Sequence, residues 1–173
     1  MYDEDLEDDD PFFYNVKYDS NKNIDIGDGS DEHHLHICMS SKKLMSNIES
    51  NGIHHIDGTY RITIYGFPLI VYGVTDQCGQ FHPVCYMITS HETEEDFDDF
   101  YDGLIQIAEE MDLSYDPEFI MQDAQAAARS AAVNAFPNVK ILMCYFHFRK
   151  NVKENCKHLM EKEAYSELQV DLK

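Results

Sequence analysis

Three runs, HHIDGTYRITI (54–64), PLIVYGVT (68–75) and HPVCYMIT (82–89), decide how the rest of the chain is read. Each is short and rich in Ile, Val, Tyr and Thr, residues that fit a pleated, half-buried surface. They are punctuated by Gly-Phe-Pro (66–68) and Asp-Gln-Cys-Gly-Gln (76–80), and loops that short join antiparallel neighbours. Downstream the period changes. Phe97, Phe100, Leu104, Ile107, Ala108 and Met111 recur at three- and four-residue steps, which predicts a helix over 94–112 with one buried face. A Tyr-Asp-Pro turn leads to a buried-type strand, Glu118 to Gln122, closed by Asp123. An Ala-rich helix follows (125–136), broken by Pro137-Asn138, then a strand from Val139 to Phe146. A last helix runs from Phe148 to about Ala164, with Val152, Cys156, Leu159 and Met160 on one face.

The order β-β-β-α-β-α-β-α predicts an α/β fold. Its mixed sheet carries helices on its faces, because the later strands need the crossovers that parallel neighbours require. Upstream, Ser40 to Ser50 reads as a short capped helix running into Asn51-Gly52. The expected organisation is an acidic disordered tail (1–34), a lead-in helix (35–52), a core (53–160) and a further helical segment (161–173). No internal repeat is present.

Composition bounds the function. The 173 residues, 43% apolar and 12% aromatic, are enough for one domain with a substantial core. Thirteen Lys and Arg against 33 Asp and Glu give a net charge of −20, so bulk charge cannot hold a phosphate backbone. Twelve acids fall in 1–32 and twelve in 92–118, and the second segment has no Lys or Arg. Lys140, Arg149, Lys150, Lys153 and Lys157 gather near the C-terminus among Tyr145, Phe146 and Phe148, the one surface suited to phosphates. No run approaches the ~18 apolar residues of a membrane span, and the acidic start is unlike a signal peptide. The five cysteines, at uneven spacing without a CxxC pair, are expected to be reduced thiols.

Two aspartates fall where strands rarely carry them. Asp57 follows Ile53-His54-His55-Ile56, and Asp123 closes Phe119-Ile120-Met121-Gln122. If the two strands are neighbours, their carboxylates converge, and a proton or a divalent cation must relieve the repulsion. Each also has a plain structural role open to it, Asp57 as a turn former and Asp123 as a helix N-cap. Cys144 and His147 are spaced to chelate one zinc, with Cys156 and His158 further on, but Cys144 also suits the core and His147 a cap. Of His54 and His55, one shares the face of Asp57. The run His33-His34-x-His36 adjoins the acidic tail and reads as solvated.

The fragments GIHHIDGTY (52–60), FPLIVYGVTD (67–76), HPVCYMITSH (82–91), MQDA (121–124) and CYFH (144–147) together resemble the transposase domain of Mutator-like elements, the MULE domain, over roughly residues 35–170. The resemblance implies a ribonuclease H-like fold with a DDE-type acidic triad that binds Mg²⁺ or Mn²⁺ and cleaves and rejoins DNA in transposition. Carried over by position, Asp57 is the first catalytic carboxylate and metal ligand, and Asp123 the second. Cys144 and His147 form the family's CxxH, with zinc binding one option for it. Arg149, Lys150 and Lys153 are expected to meet DNA. The resemblance further implies nuclear action on element ends and target DNA by a homo-oligomer.

The family's third carboxylate, a Glu, lies beyond a helical insertion downstream of the CxxH. Glu154, Glu161, Glu163 and Glu167 do not match it. The sequence is therefore expected to stop inside that insertion, after the fifth strand, and to lack an assignable third ligand. Two readings follow: a Mg²⁺-dependent transposase domain with an incomplete triad, or a domesticated or decayed remnant that acts as a non-catalytic interaction or regulatory protein.

Overall fold

A computed structural model describes residues 1–155. The expectations placed on Cys156, Lys157, His158, Leu159, Met160, Glu161, Glu163, Glu167 and the segment 161–173 lie outside the described residues. In chain order the elements are β1 (Pro11–Tyr14), β2 (Lys17–Tyr18), β3 (Ile24–Asp25), β4 (His36–Ser41), α1 (Lys42–Met45), a 3₁₀ turn (Ser46–Glu49), β5 (Ile53–Thr59), β6 (Leu69–Thr75), β7 (Phe81–Thr89), α2 (Glu94–Glu110), β8 (Phe119–Gln122), α3 (Ala126–Ala135), β9 (Lys140–Met143) and α4 (Tyr145–Asn155). From β5 onward this is the β-β-β-α-β-α-β-α order read from the sequence.

One seven-stranded sheet carries the fold in the order β1-β4-β7-β6-β5-β8-β9, and β2 and β3 form a separate hairpin. Pairing is antiparallel from β1 through β5 and parallel from β5 through β8 to β9, so the sheet is mixed. Strand alternation then separates two faces. Ile56, Ile70, Tyr72, Val74 and Ile120 are buried on one of them. There Tyr72 meets Phe100 and Tyr101 of α2, with ring centroids 5.9 and 6.2 Å away. Helix α2 starts on a reciprocal cap, Thr93 with Asp96, and buries Phe97, Phe100, Leu104 and Ile107. Helix α3 buries Ala128, Ala131 and Ala132, small enough for close approach to its neighbour. No described helix is long and apolar enough to cross a membrane.

The expectation of a disordered tail over 1–34 is corrected. Residues Pro11–Tyr14 form the edge strand β1 on β4, with Phe12 and Tyr14 in the core. Three contacts account for this. Lys42 donates to the Leu6 carbonyl (2.7 Å) and Lys43 pairs with Asp9 (2.9 Å), so the acidic start lies along α1. Asn15 adopts φ 52° and donates from Nδ2 to the Asp99 carbonyl of α2 at 2.8 Å. This close approach needs Gly103, where a Cβ would lie 2.5 Å from Asn15 Cβ. Asp and Asn in the region build turns: Asp19 Oδ1 accepts from the backbone of Asn21 and Asn23, both at 2.8 Å, between β2 and β3.

The lead-in segment is corrected too, because strand β4 precedes the short helix. Two boundaries also move. The first strand stops at Thr59, not Ile64, and the last helix starts at Tyr145, not Phe148. In that second case a β-favouring aromatic run is taken into a helix by its tertiary position.

Candidate metal and phosphate site

Strands β5 and β8 are parallel neighbours with His54 opposite Ile120 and His55 opposite Met121. Asp57 lies two residues beyond this pairing on β5 and Asp123 two residues beyond it just past the end of β8, so the same register brings them side by side, and the charge of Asp123 is felt at Asp57. The two carboxylates therefore project from matched positions, on the face turned away from α2. Asp57 stays 57% exposed at its side chain, while burial of its inner part and the negative charge of Asp123 push its pKa up against the opposing pull of His147. The N-cap role read for Asp123 is corrected: Gln125 occupies the cap position of α3, and Asp123 Oδ1 instead accepts from the Gln125 backbone N–H at 2.9 Å, a turn just ahead of the helix.

His55 lines the same depression as Asp57, together with Met121, Asp123, Cys144, Phe146 and His147. Its neighbour His54 points inward to a 2.9 Å hydrogen bond with the Tyr72 hydroxyl. The CxxH straddles the junction of β9 and α4: Cys144 N–H donates to the Gln122 carbonyl (2.7 Å), and its carbonyl accepts from Phe148 N–H (2.9 Å). The first turn of α4 thus delivers His147, whose Nε2 lies 3.8 Å from Asp57 Oδ1. Among the described residues the Cys144/His147 pair gains no third ligand of the zinc type, and a convergent trio occurs elsewhere, at His34, His36 and Asp96. His55 Nε2 and His147 Nδ1 are buried without a hydrogen-bond partner. These two ring nitrogens border the two carboxylates, whose oxygens are the donor type that suits a hard divalent cation.

A third carboxylate belongs to this neighbourhood and escaped the sequence reading. Glu92 lies in the loop between β7 and α2, and both its oxygens accept from Tyr60 Oη at 2.9 Å. Burial and the charge of Asp123 raise its pKa against the Tyr60 bond. The available signal was Gly58, which directly follows Asp57. A Cβ there would lie 3.2 Å from Glu92 Oε1, so the glycine leaves room for that carboxylate as well as extending the strand.

Beside the carboxylates, α4 turns Phe146, Arg149, Lys150 and Lys153 into one open groove that also includes Glu154. Tyr145 and Phe146 are 52% and 68% exposed next to these cations. Exposed rings interleaved with cations can stack on bases and meet phosphates.

The reading of His33-His34-x-His36 as solvated holds for His33, which is exposed, and is corrected for His34 and His36. His34 Nδ1 and His36 Nε2 reach the same oxygen of buried Asp96, at 2.7 and 2.6 Å. Nothing local to 33–36 signals this, because the partner lies 60 residues away on α2.

The family model described as the MULE transposase domain matches residues 53–151. That span contains Asp57, Glu92, Asp123, Cys144, His147, Arg149 and Lys150, and leaves out the first 52 residues with β1 to β4. Comparison with curated proteins gave no match.

Proposed function

The chain belongs to the MULE transposase domain family, and from that premise we propose that the face built by Asp57 and Asp123 is a Mg²⁺- or Mn²⁺-dependent DNA cleavage and strand-transfer site. The observation that carries this reading is that Asp57 on β5 and Asp123 just past the end of its parallel neighbour β8 come close enough for the charge of one to raise the pKa of the other. The sheet order β7-β6-β5-β8-β9 supports assigning the fold to the ribonuclease H-like class. Asp57 and Asp123 hold the cation, which supplies Lewis-acid stabilisation of the charge that develops on phosphoryl transfer. His147 faces Asp57 and tempers its field. Glu92 adds negative charge on the side of Asp123 and serves as the third acidic group in this chain. Arg149, Lys150 and Lys153 position the phosphate backbone, and Phe146 and Tyr145 stack on unpaired bases at the cut. DNA as substrate sets its place of action in the nucleus, and pairs of element ends call for a homo-oligomer.

The test is cleavage of double-stranded DNA by the full chain with Mg²⁺ or Mn²⁺. Asp57→Asn and Asp123→Asn are each expected to lower the rate by about a thousandfold, the equivalent of removing several kcal/mol of charge stabilisation. Lys150→Ala should weaken DNA binding evenly across sequences and reduce its salt dependence by about one phosphate. Unchanged cleavage by the Asn variants, or none by the parent with either ion, overturns the reading and favours the non-catalytic remnant.

A further inference from the structure

We propose that His34, His36 and Asp96 form a second metal site, distinct from the carboxylate face, that takes one divalent transition-metal ion of the zinc class. The ligating atoms of these three side chains all lie within 4.8 Å of one another. Two of the three residues fall in the segment outside the family match and the third on α2, so an ion here joins the two parts of the molecule.

The convergence is built into the backbone. His34 and His36 are two apart on an extended chain and project to one side. Leu35 between them is pinned in the opposite sense, its N–H to Ser90 Oγ (3.0 Å) and its carbonyl to Ser90 N–H (3.1 Å). On the other side, Asp96 is fixed by the helix cap. Its Oδ2 accepts from both the backbone N–H and the hydroxyl of Thr93, each at 2.7 Å, which leaves Oδ1 aimed at the two rings.

Each imidazole is also oriented from behind, as metal-bound histidines usually are. His36 Nδ1 faces Asp99 Oδ2 at 3.5 Å. His34 bonds the backbone of Asp31 and stacks on His91 with centroids 3.9 Å apart and planes 15° from parallel. Two imidazoles with one carboxylate are ligands typical of zinc, and a fourth position remains for water. Mg²⁺ prefers oxygen ligands throughout and is poorly matched.

The present 2.6 and 2.7 Å separations are those of hydrogen bonds, with an N–H on each ring. An ion with bonds of about 2.0–2.1 Å in a tetrahedral site needs ligand atoms about 3.3 Å apart. The three groups must therefore spread by roughly half an ångström, and the proton on each facing nitrogen must leave it, passing to the other nitrogen of a neutral ring or to solvent from a protonated one. His34 precedes β4, so its ring can move without breaking the β4 ladder.

The full chain, stripped with chelator, is titrated with Zn²⁺ by calorimetry and with Co²⁺ by visible absorption. One tight equivalent of Zn²⁺, a rise in melting temperature on adding it, and a tetrahedral Co²⁺ spectrum are expected. Asp99→Asn should weaken the affinity by about 10–100-fold through loss of the group behind His36. His34→Gln and His36→Gln should each weaken it at least as much, whereas Asp57→Asn and Cys144→Ser should leave it unchanged. X-ray absorption of the Zn²⁺-loaded parent should give nitrogen and oxygen ligands with imidazole scattering, a readout that does not depend on any variant folding. Sulfur ligation, binding that survives both histidine substitutions, or no stoichiometric binding overturns the proposal.

Discussion

Asp57 and Asp96 are the same side chain beside histidine in two opposite electrostatic settings. Asp57 is 57% exposed at its side chain, with one histidine at 3.8 Å, and its pKa is raised by burial and by Asp123. Asp96 is only 1% exposed at its side chain. Burial pushes it up, but hydrogen bonds from the Thr93 hydroxyl and backbone and from His34 and His36 outweigh that and hold its pKa at about 2. Exposure alone would set the two in the opposite order, so partners decide. The cap and the two rings make Asp96 a satisfied joint between β4 and α2. Asp57 has only His147 at 3.8 Å to offset the burial and the charge of Asp123 that raise its pKa.

The largest expected effect tests the satisfied side. In chelator, so that no metal contributes, Asp96→Ala removes a buried carboxylate from two histidines and from the α2 cap. Loss of a buried partner of this kind costs about 3–5 kcal/mol, to which the lost cap adds about 1 kcal/mol. Urea unfolding is the measurement. A loss below about 1 kcal/mol would mean that the joint is a surface-like pair and that the contrast with Asp57 is false.

The next effect contrasts the two sides of β5, with Asp57 outward and His54 inward. His54 is buried, its pKa lowered to about 4 by desolvation and then by His55, against an ordinary value of 6.5. The unfolded chain therefore binds a proton between about pH 6.5 and 4 that the native state refuses, and stability falls as pH is lowered through that window. At 1.36 kcal/mol per pKa unit the loss is about 3 kcal/mol by pH 4. Urea midpoints at pH 7, 5.5 and 4 for the parent and for His54→Gln check it. The variant should have the shallower slope, and equal slopes would mean that His54 does not titrate in this range.

Much of the central region was legible because its signals are local. Runs of Ile, Val and Tyr with short turns gave β5 to β7, the three- and four-residue steps gave α2, and an Asp within one strand and another just past the end of a second marked the candidate site. The N-terminal region was not legible, because its order comes from distant partners. Phe12 and Tyr14 sit in a four-residue strand within an acidic stretch, and only pairing with β4 makes that strand. His34 and His36 look solvated until Asp96 is brought to them across 60 or so residues. Glu92 failed for a related reason, since its relation to Asp123 depends on how the loop after β7 comes back over β5. Asp57 and Asp123 were each visible as aspartates where strands rarely carry them, but their convergence hung on the two strands being neighbours, and only the resemblance to the family joined them in one site.

The smallest effect is the sharpest test of the contrast, because its sign differs from that of Asp96→Ala. A carboxylate whose native pKa is raised is more easily ionised in the unfolded chain, so at neutral pH its charge works against folding. Asp57→Asn removes that charge, its repulsion from Asp123 and part of its desolvation, and keeps the shape. Because the side chain is more than half exposed, solvent screens most of the gain. The melting temperature in chelator should therefore be unchanged or slightly higher, while metal-dependent cleavage is lost. Mg²⁺ should stabilise the parent and not the variant, since a ligand bound only by the native state adds to its stability. A clear fall in melting temperature for Asp57→Asn would show that the 3.8 Å approach of His147 makes Asp57 a structural ion pair. The carboxylate face would then be of the same kind as the Asp96 joint.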